Sequence, residues 1–194
     1  MKTEKENSSP FKTKFYKKLP EKLQKELRQF ELENFYREEE RTPEYLAKEK
    51  DKYFSVPEAW LLVFEGAQII GSIKLHKRNV KFNKKNIILG GLGGVCIRKD
   101  KRRLGIASMM IEEGMKTLRE WGCDIAYLCA NLEESGSLYP QAGFVSMKKP
   151  YTYYGQSGKL YEETNGMIAP VESLDLFKEI LSSEQKLHLG KGNW

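Results

Sequence analysis

The run Leu89-Gly90-Gly91-Leu92-Gly93-Gly94-Val95-Cys96-Ile97 leads, through a basic stretch, into Arg102-Arg103-Leu104-Gly105-Ile106-Ala107. Apolar residues then follow at helical spacing, so the two arginines stand where a helix begins. Cations oppose the macrodipole at that end, which already carries partial positive charge. The compensating partner for such an arrangement is an anion. A helix's first-turn N–H groups need acceptors. A pyrophosphate supplies them, and Arg102 and Arg103 would add charge-assisted bonds. Gly105 and Ala107 are small, which lets a phosphate approach the backbone. The pattern is neither a Walker A sequence nor a dinucleotide GxGxxG. Alone it is weak: a Gln/Arg-x-x-Gly-x-Gly/Ala match arises by chance in roughly one of every five chains this long. A basic loop before a small-residue helix start is the plain structural alternative. Its place between a strand and an amphipathic helix is what gives it weight.

Those elements can be read from pattern. Phe11–Tyr16 alternates as a first strand, and Pro20 opens a helix with Leu23, Leu27 and Phe30 at helical spacing. Thr42-Pro43 reads as an N-cap and first helical position for a second helix through about Lys52. "AWLLVF" and "QIIGSIKL", joined by Glu65-Gly66-Ala67, read as a hairpin, and Asn83–Asn86 as a turn into a strand from about Ile87 to Ile97. A helix starting at Arg103 or Leu104 carries Leu104, Ala107, Met110, Ile111, Met115 and Leu118 on one face and ends at Trp121-Gly122. "IAYLC" has the wholly apolar character of a central strand. Ser135–Gln141 reads as a short helix, "GFVSM" as a strand, "GMIAPV" as the last strand, and "LDLFKEILSS" as a helix before a tail ending at Trp194. This order describes one α/β domain around a mixed sheet, spanning residues 10–194 behind a frayed N-terminus of residues 1–9.

Bulk properties narrow the ligand. Net charge is +6, but it is concentrated: between Ser72 and Arg103 eleven Lys or Arg face one acid, Asp100. Residues 104 to 145 tilt acidic. A local basic stretch favours one anionic ligand over a nucleic-acid coat. The only aromatic rings within it are His76 and Phe82, too few for a base-stacking platform. No apolar run reaches the ~20 residues of a membrane span, and no secretory signal is visible. Three cysteines, Cys96, Cys123 and Cys129, lack metal-type spacing and read as buried thiols of a reducing compartment, so no metal is expected and the cytoplasm is the expected location.

Downstream stands Leu138-Tyr139-Pro140-Gln141-Ala142-Gly143-Phe144. A strand, Arg-x-x-Gly-x-Ala, a long helix, an apolar strand and then Leu-Tyr-x-x-x-Gly-Phe resemble the GNAT superfamily of N-acetyltransferases over about residues 55 to 147. The resemblance implies a mixed, largely antiparallel central sheet flanked by helices, with acetyl-CoA as cosubstrate. By it, the pantetheine arm would pair with the backbone of Val95, Cys96 and Ile97. The pyrophosphate would lie on Arg102, Arg103, Leu104, Gly105, Ile106, Ala107 and Ser108. The Val95 amide would polarise the thioester carbonyl. Tyr139 would protonate the departing thiolate; its structural alternative is a core tyrosine. Acetyl would pass directly to a primary amine, in a monomer or homodimer without nucleic-acid or membrane partners. The alternative is a CoA-binding module without catalysis.

The stretches "EAWLLVFEGAQIIGSIKLHKRNV", "GGVCIRKDKRR" and "GMIAPV", with a tail closing on Gly-Asn-Trp, resemble aminoglycoside 2′-N-acetyltransferases more closely. That resemblance places Trp194 in the substrate pocket and Glu162 and Glu163 where carboxylates would meet a polycationic acceptor. It also implies a Glu on the strand before the phosphate loop; this chain has Gly93, and Asn193 precedes the final Trp. Glu162, Glu163, Glu133 or bulk water would then take the amine's proton. His76 and His188, with no partner pattern, read as surface residues. Tyr151, Tyr153 and Tyr154 read as a loop cluster, either stacking on a substrate or anchoring the loop.

Overall fold

The computed structural model describes residues 11–131, 133 and 136–194. The expected frayed terminus lies outside them, as does Ser135. The chain forms β1 (Phe11–Tyr16), α1 (Glu21–Asn34), α2 (Pro43–Lys52), β2 (Ala59–Glu65), β3 (Gln68–Phe82), β4 (Lys85–Ile97) and α3 (Ile106–Glu120). Then follow β5 (Ile125–Cys129), α4 (Leu138–Gln141), β6 (Val145–Ser146), β7 (Tyr151–Tyr154), β8 (Leu160–Glu163), β9 (Gly166–Pro170), α5 (Leu174–Ser182) and β10 (His188–Lys191).

Seven strands form the main sheet in the order β1-β2-β3-β4-β5-β9-β6. Only β4 and β5 run parallel; the other neighbours are antiparallel. This is the mixed, largely antiparallel sheet that the sequence implies. Thr42 Oγ1 accepts the Tyr45 N–H at 3.2 Å with Pro43 at the first helical position, the cap read from Thr-Pro. The second hairpin is tighter than expected. Asn83 and Lys84, at φ 47° and 65°, make a two-residue turn whose left-handed conformations match the strand twist, so β3 runs on to Phe82. No helix among the described residues is long and apolar enough to cross a membrane.

Side-chain alternation gives the sheet two different faces. On one, α3 lays Ile106, Met110, Ile111 and Leu118 against Ile73, Leu75, Leu92 and Leu128. Each such side chain stabilises the fold by roughly 1.5–3 kcal/mol. The other face carries two separate clusters. Leu19, Leu27 and Phe30 of the α1 region cover Leu62, Phe64 and Cys96 at one end. At the far end Leu176 and Ile180 of α5 cover Phe82, Leu89, Ile125 and Tyr127.

That far end corrects the sequence reading. Tyr151, Tyr153 and Tyr154 lie on β7, which pairs with β8 and β10 in a second sheet, and "GMIAPV" is not the last strand. Tyr151 and Tyr153 are fully buried core residues, whereas Tyr154 is exposed. Between the two clusters lies a polar seam carrying Lys74, His76 and Arg78 of β3.

Candidate active site

β4 and β5 pair only over Leu89–Gly91 and Ile125–Tyr127. β4 continues to Ile97 without a partner strand on that edge among the described residues, while β5 stays paired to β9 along its length. The two parallel strands therefore diverge. In the same stretch the β3–β4 register slips: Lys74 opposes Gly93 but Ser72 opposes Cys96, which leaves one extra residue on β4. Gly94 absorbs this bulge at φ 56°, a conformation that costs glycine least. Backbone groups alternate sides along a strand. The Arg98 N–H donates to Ile70 O at 2.9 Å, so Cys96, beyond the bulge, faces β3 and Ile97 turns its N–H to the open edge, while the Ile97 C=O accepts from Arg102. The Cys96 thiol is buried and pushed up to about 12 by burial.

α3 begins at Ile106, not at Arg103 or Leu104. Arg103 at φ 65° and Gly105 at φ 78° are left-handed, so Arg102–Gly105 form a turn. The first helical bond runs from Met109 N–H to Gly105 O at 3.1 Å, which leaves the Ile106, Ala107 and Ser108 amides ahead of the intrahelical ladder. A side chain at Gly105 would project into open space. The glycine is needed for its φ, not for clearance. The two arginines also part company. Arg102 donates to Asn34 O at 2.7 Å and Ile97 O at 3.3 Å, closing the C-terminus of α1 onto β4, whereas Arg103 and Leu104 are exposed. Arg102→Ala should therefore lower stability by about 1–3 kcal/mol in urea titrations. Arg103→Ala should instead weaken CoA binding about three- to tenfold by calorimetry, with unchanged stability.

Tyr139, in α4, is buried at 9% exposure and meets Phe144 edge-on at 6.3 Å. Its hydroxyl has no hydrogen-bond partner among the described residues. Burial, with a smaller contribution from nearby Cys129, pushes its pKa up to about 12. Beside it a groove of about 700 Å³ separates α3 from α4, lined by Ser108, Glu112, Lys116, Leu138 and Gln141.

On the seam, Trp194 lies across the vertex where β4 and β5 part. A side chain on Gly91 would begin 2.0 Å from its indole nitrogen, so only glycine admits the ring. The indole stacks on His76 at 5.1 Å, meets Tyr127 edge-on at 5.7 Å, and carries the Arg78 guanidinium 4.5 Å above it. Arg78 also donates to Leu189 O (2.5 Å), Gly192 O (3.0 Å) and Ser55 Oγ (2.6 Å), clamping the last residues in place. Asn193, fully buried, accepts from Tyr127 OH at 3.0 Å and donates to Tyr151 OH at 3.1 Å. A side chain at Gly93 would begin 3.1 Å from the Trp194 main-chain carbon and 3.2 Å from His76 Nε2. The space a β4 carboxylate would need is filled.

Glu162 and Glu163 are ion-paired, with Lys186 at 2.6 Å and Lys52 at 2.5 Å. Glu133 is exposed. Sequence reasoning missed the burial of the two histidines and the place of Lys74. His76 is 4% exposed, not a surface residue, and His188 is partly buried with Nδ1 2.9 Å from Thr152 Oγ1. Lys74 Nζ pairs with Glu31 at 2.8 Å and lies 3.4 Å from where a side chain on Gly94 would begin. The signal was the even-numbered alternation Ser72, Lys74, His76, Arg78 along β3, which puts all four on one face.

Burial, then the charges of Lys74 and Arg78, lower the His76 pKa from 6.5 to about 3, against an opposing hydrogen bond to Val56. A depressed folded pKa means stability present above the ordinary value and lost as pH falls toward the folded one. Between pH 6.5 and 4.5 the protein should lose about 2–3 kcal/mol that His76→Gln does not lose, read from urea midpoints.

A family model described as an acetyltransferase (GNAT) domain matches residues 10–146. Among solved structures, an acyl-CoA N-acyltransferase from Pseudomonas aeruginosa superposes with TM-score 0.58 at 18% identity, over 82% of this chain and 99% of that one. The ribosomal-protein-S18-alanine N-acetyltransferase from Escherichia coli gives 0.51 at 14% identity, over 84% and 96%. A GCN5-related N-acetyltransferase from Kribbella flavida gives 0.50 at 13% identity over 74% of this chain, which spans 35% of that protein's length. These likenesses share the fold. No curated protein matches the chain in sequence. The matched family model covers well over half of the residues and takes in both the diverging strands and the α3 turn, and the chain belongs to the GNAT acetyltransferase family.

Proposed function

We propose that the chain transfers acetyl from acetyl-CoA directly to a primary amine. The observation that carries this reading is the divergence of β4 from β5 beside the Gly94–Val95 bulge, one turn from the open amides of α3. These residues fit the cosubstrate. The edge of β4 beyond Gly91, unpaired by any strand among the described residues, accepts an extended amide-bearing arm as an added strand, and Arg103 through Ser108 accept phosphates. Acetyl-CoA supplies the activated acyl group. The Val95 N–H holds the developing oxyanion, and Tyr139, protonated throughout the working pH range, donates to the sulfur. Direct attack is favoured over an acyl-cysteine because burial pushes the Cys129 thiol up to about 11. Three free thiols fit a reducing, cytoplasmic setting.

The acceptor enters over the polar seam, with Trp194 as its floor. An aminoglycoside-like amine is the finer reading, drawn from the tail's resemblance. The pairing of Glu162 and Glu163 leaves less charge for a polycation than that reading asks. Thiol release from acetyl-CoA, measured against an amine panel that includes aminoglycosides and simple primary amines, tests both levels. Release with some amine is expected. Tight CoA binding with no release from any amine would instead indicate a non-catalytic CoA-binding module.

A further inference from the structure

The seam at the bulge contains an amine of the protein's own. Lys74 opposes Gly93 on the neighbouring strand, and its side chain folds along Gly94, with Cδ and Nζ each 3.4 Å from the point where a Gly94 side chain would begin. The next residue, Val95, completes the bulge, where β4 has no partner strand on its other edge among the described residues. Glu31 of α1 holds the ammonium at 2.8 Å. Lys74 is 31% and Glu31 19% exposed, so the pair is reached from solvent without being loose in it. Gly91, Gly93 and Gly94 give β4 no acid or base of its own here, and His76 is held neutral beneath Trp194. An amine and a carboxylate are therefore preassembled one residue from the group proposed to polarise the thioester.

Resting on the acetyl-CoA reading above, we infer that Lys74 is a self-acetylation site, modified when no external amine occupies the seam. The Lys74 ammonium passes a proton to Glu31, and the freed lone pair attacks the thioester carbonyl carbon. The new N–C bond forms as the C–S bond breaks. The sulfur leaves with the electron pair and takes a proton from Tyr139, which regains one from solvent. The second nitrogen proton and the one taken by Glu31 both pass to water, so acetyl-CoA and a lysine ammonium give acetyl-lysine, CoA thiol and one proton, with Glu31 again a carboxylate. Attachment to the same fold places the nucleophile at high effective concentration. Acetylation also removes the charge that holds Glu31, so the modified protein has a seam with one cation fewer and a carboxylate released toward incoming amines.

Two readouts test this. Purified protein incubated with acetyl-CoA and no amine is digested and mapped by mass spectrometry. One acetyl group at Lys74 is expected, formed at least about tenfold faster than at exposed lysines such as Lys22 and Lys159, and slowed at least about tenfold in Glu31→Gln and Tyr139→Phe. Lys74→Arg, which keeps the ion pair, should lose the modification. The second readout needs no turnover: saturating CoA thiol should slow labelling of Lys74 by an amine-reactive ester about tenfold and leave Lys22 unchanged. Acetylation no faster at Lys74 than at surface lysines, or labelling indifferent to CoA, overturns the inference. If CoA binds and an external amine is acetylated while Lys74 stays unmodified, this inference fails and the proposed function stands. If CoA does not bind, both fail.

Discussion

Tyr139→Phe is expected to lower kcat about a hundredfold while acetyl-CoA KM stays within about twofold. The phenol sits on α4, buried, with a pKa pushed up to about 12. A thiol's ordinary pKa is about 8.5, so complete transfer would run uphill by roughly 5 kcal/mol. On the proposed reading the useful act is a hydrogen bond that strengthens as charge builds on sulfur, felt in turnover rather than in binding. Stability gives the control. Because the hydroxyl has no partner among the described residues, Phe should leave the urea midpoint unchanged or slightly higher. Unchanged kcat would remove Tyr139 from the reaction and leave it a core residue beside Phe144.

The second large effect concerns the vertex. Trp194→Ala should cost about 3–5 kcal/mol of stability, the usual loss for a buried tryptophan. It should also raise the acceptor KM at least about tenfold while sparing acetyl-CoA binding, because the open edge lies on other residues. Gly91→Ala reaches the same state from the opposite side: its methyl would stand 2.0 Å from the indole nitrogen, so the ring must leave. Both variants should therefore fail alike in acceptor use, measured as kcat/KM with the best amine of the panel. A Gly91→Ala protein with wild-type stability and acceptor use would show that the indole is not seated there.

Much of the architecture was legible because local chemistry and tertiary packing agree. Phe11–Tyr16, the Thr42-Pro43 start of α2 and Ile125–Cys129 stand where pattern puts them. The α3 boundary was misread because apolar spacing does not reveal a left-handed φ at Arg103. The second sheet was missed because β7, β8 and β10 are four residues each, and β10 reaches its partner from the far end of the chain. At the site, the glycine run and the arginine turn were visible as motifs, yet the different partners of Arg102 and Arg103 depend on where α1 ends. Gly93 looked like a missing carboxylate. In the fold it is a position filled from outside by Trp194 and His76, a contact between residues far apart in sequence that no spacing rule carries.

If CoA lies along the unpaired edge of β4 and on the first turn of α3, as proposed, amide hydrogen exchange with and without CoA reads it most directly. CoA should slow exchange at Val95, Ile97, Ile106, Ala107 and Ser108 at least about tenfold and leave Cys96, already turned to β3, unchanged. Protection confined to the groove between α3 and α4, or equal protection of Cys96 and Ile97, would contradict it.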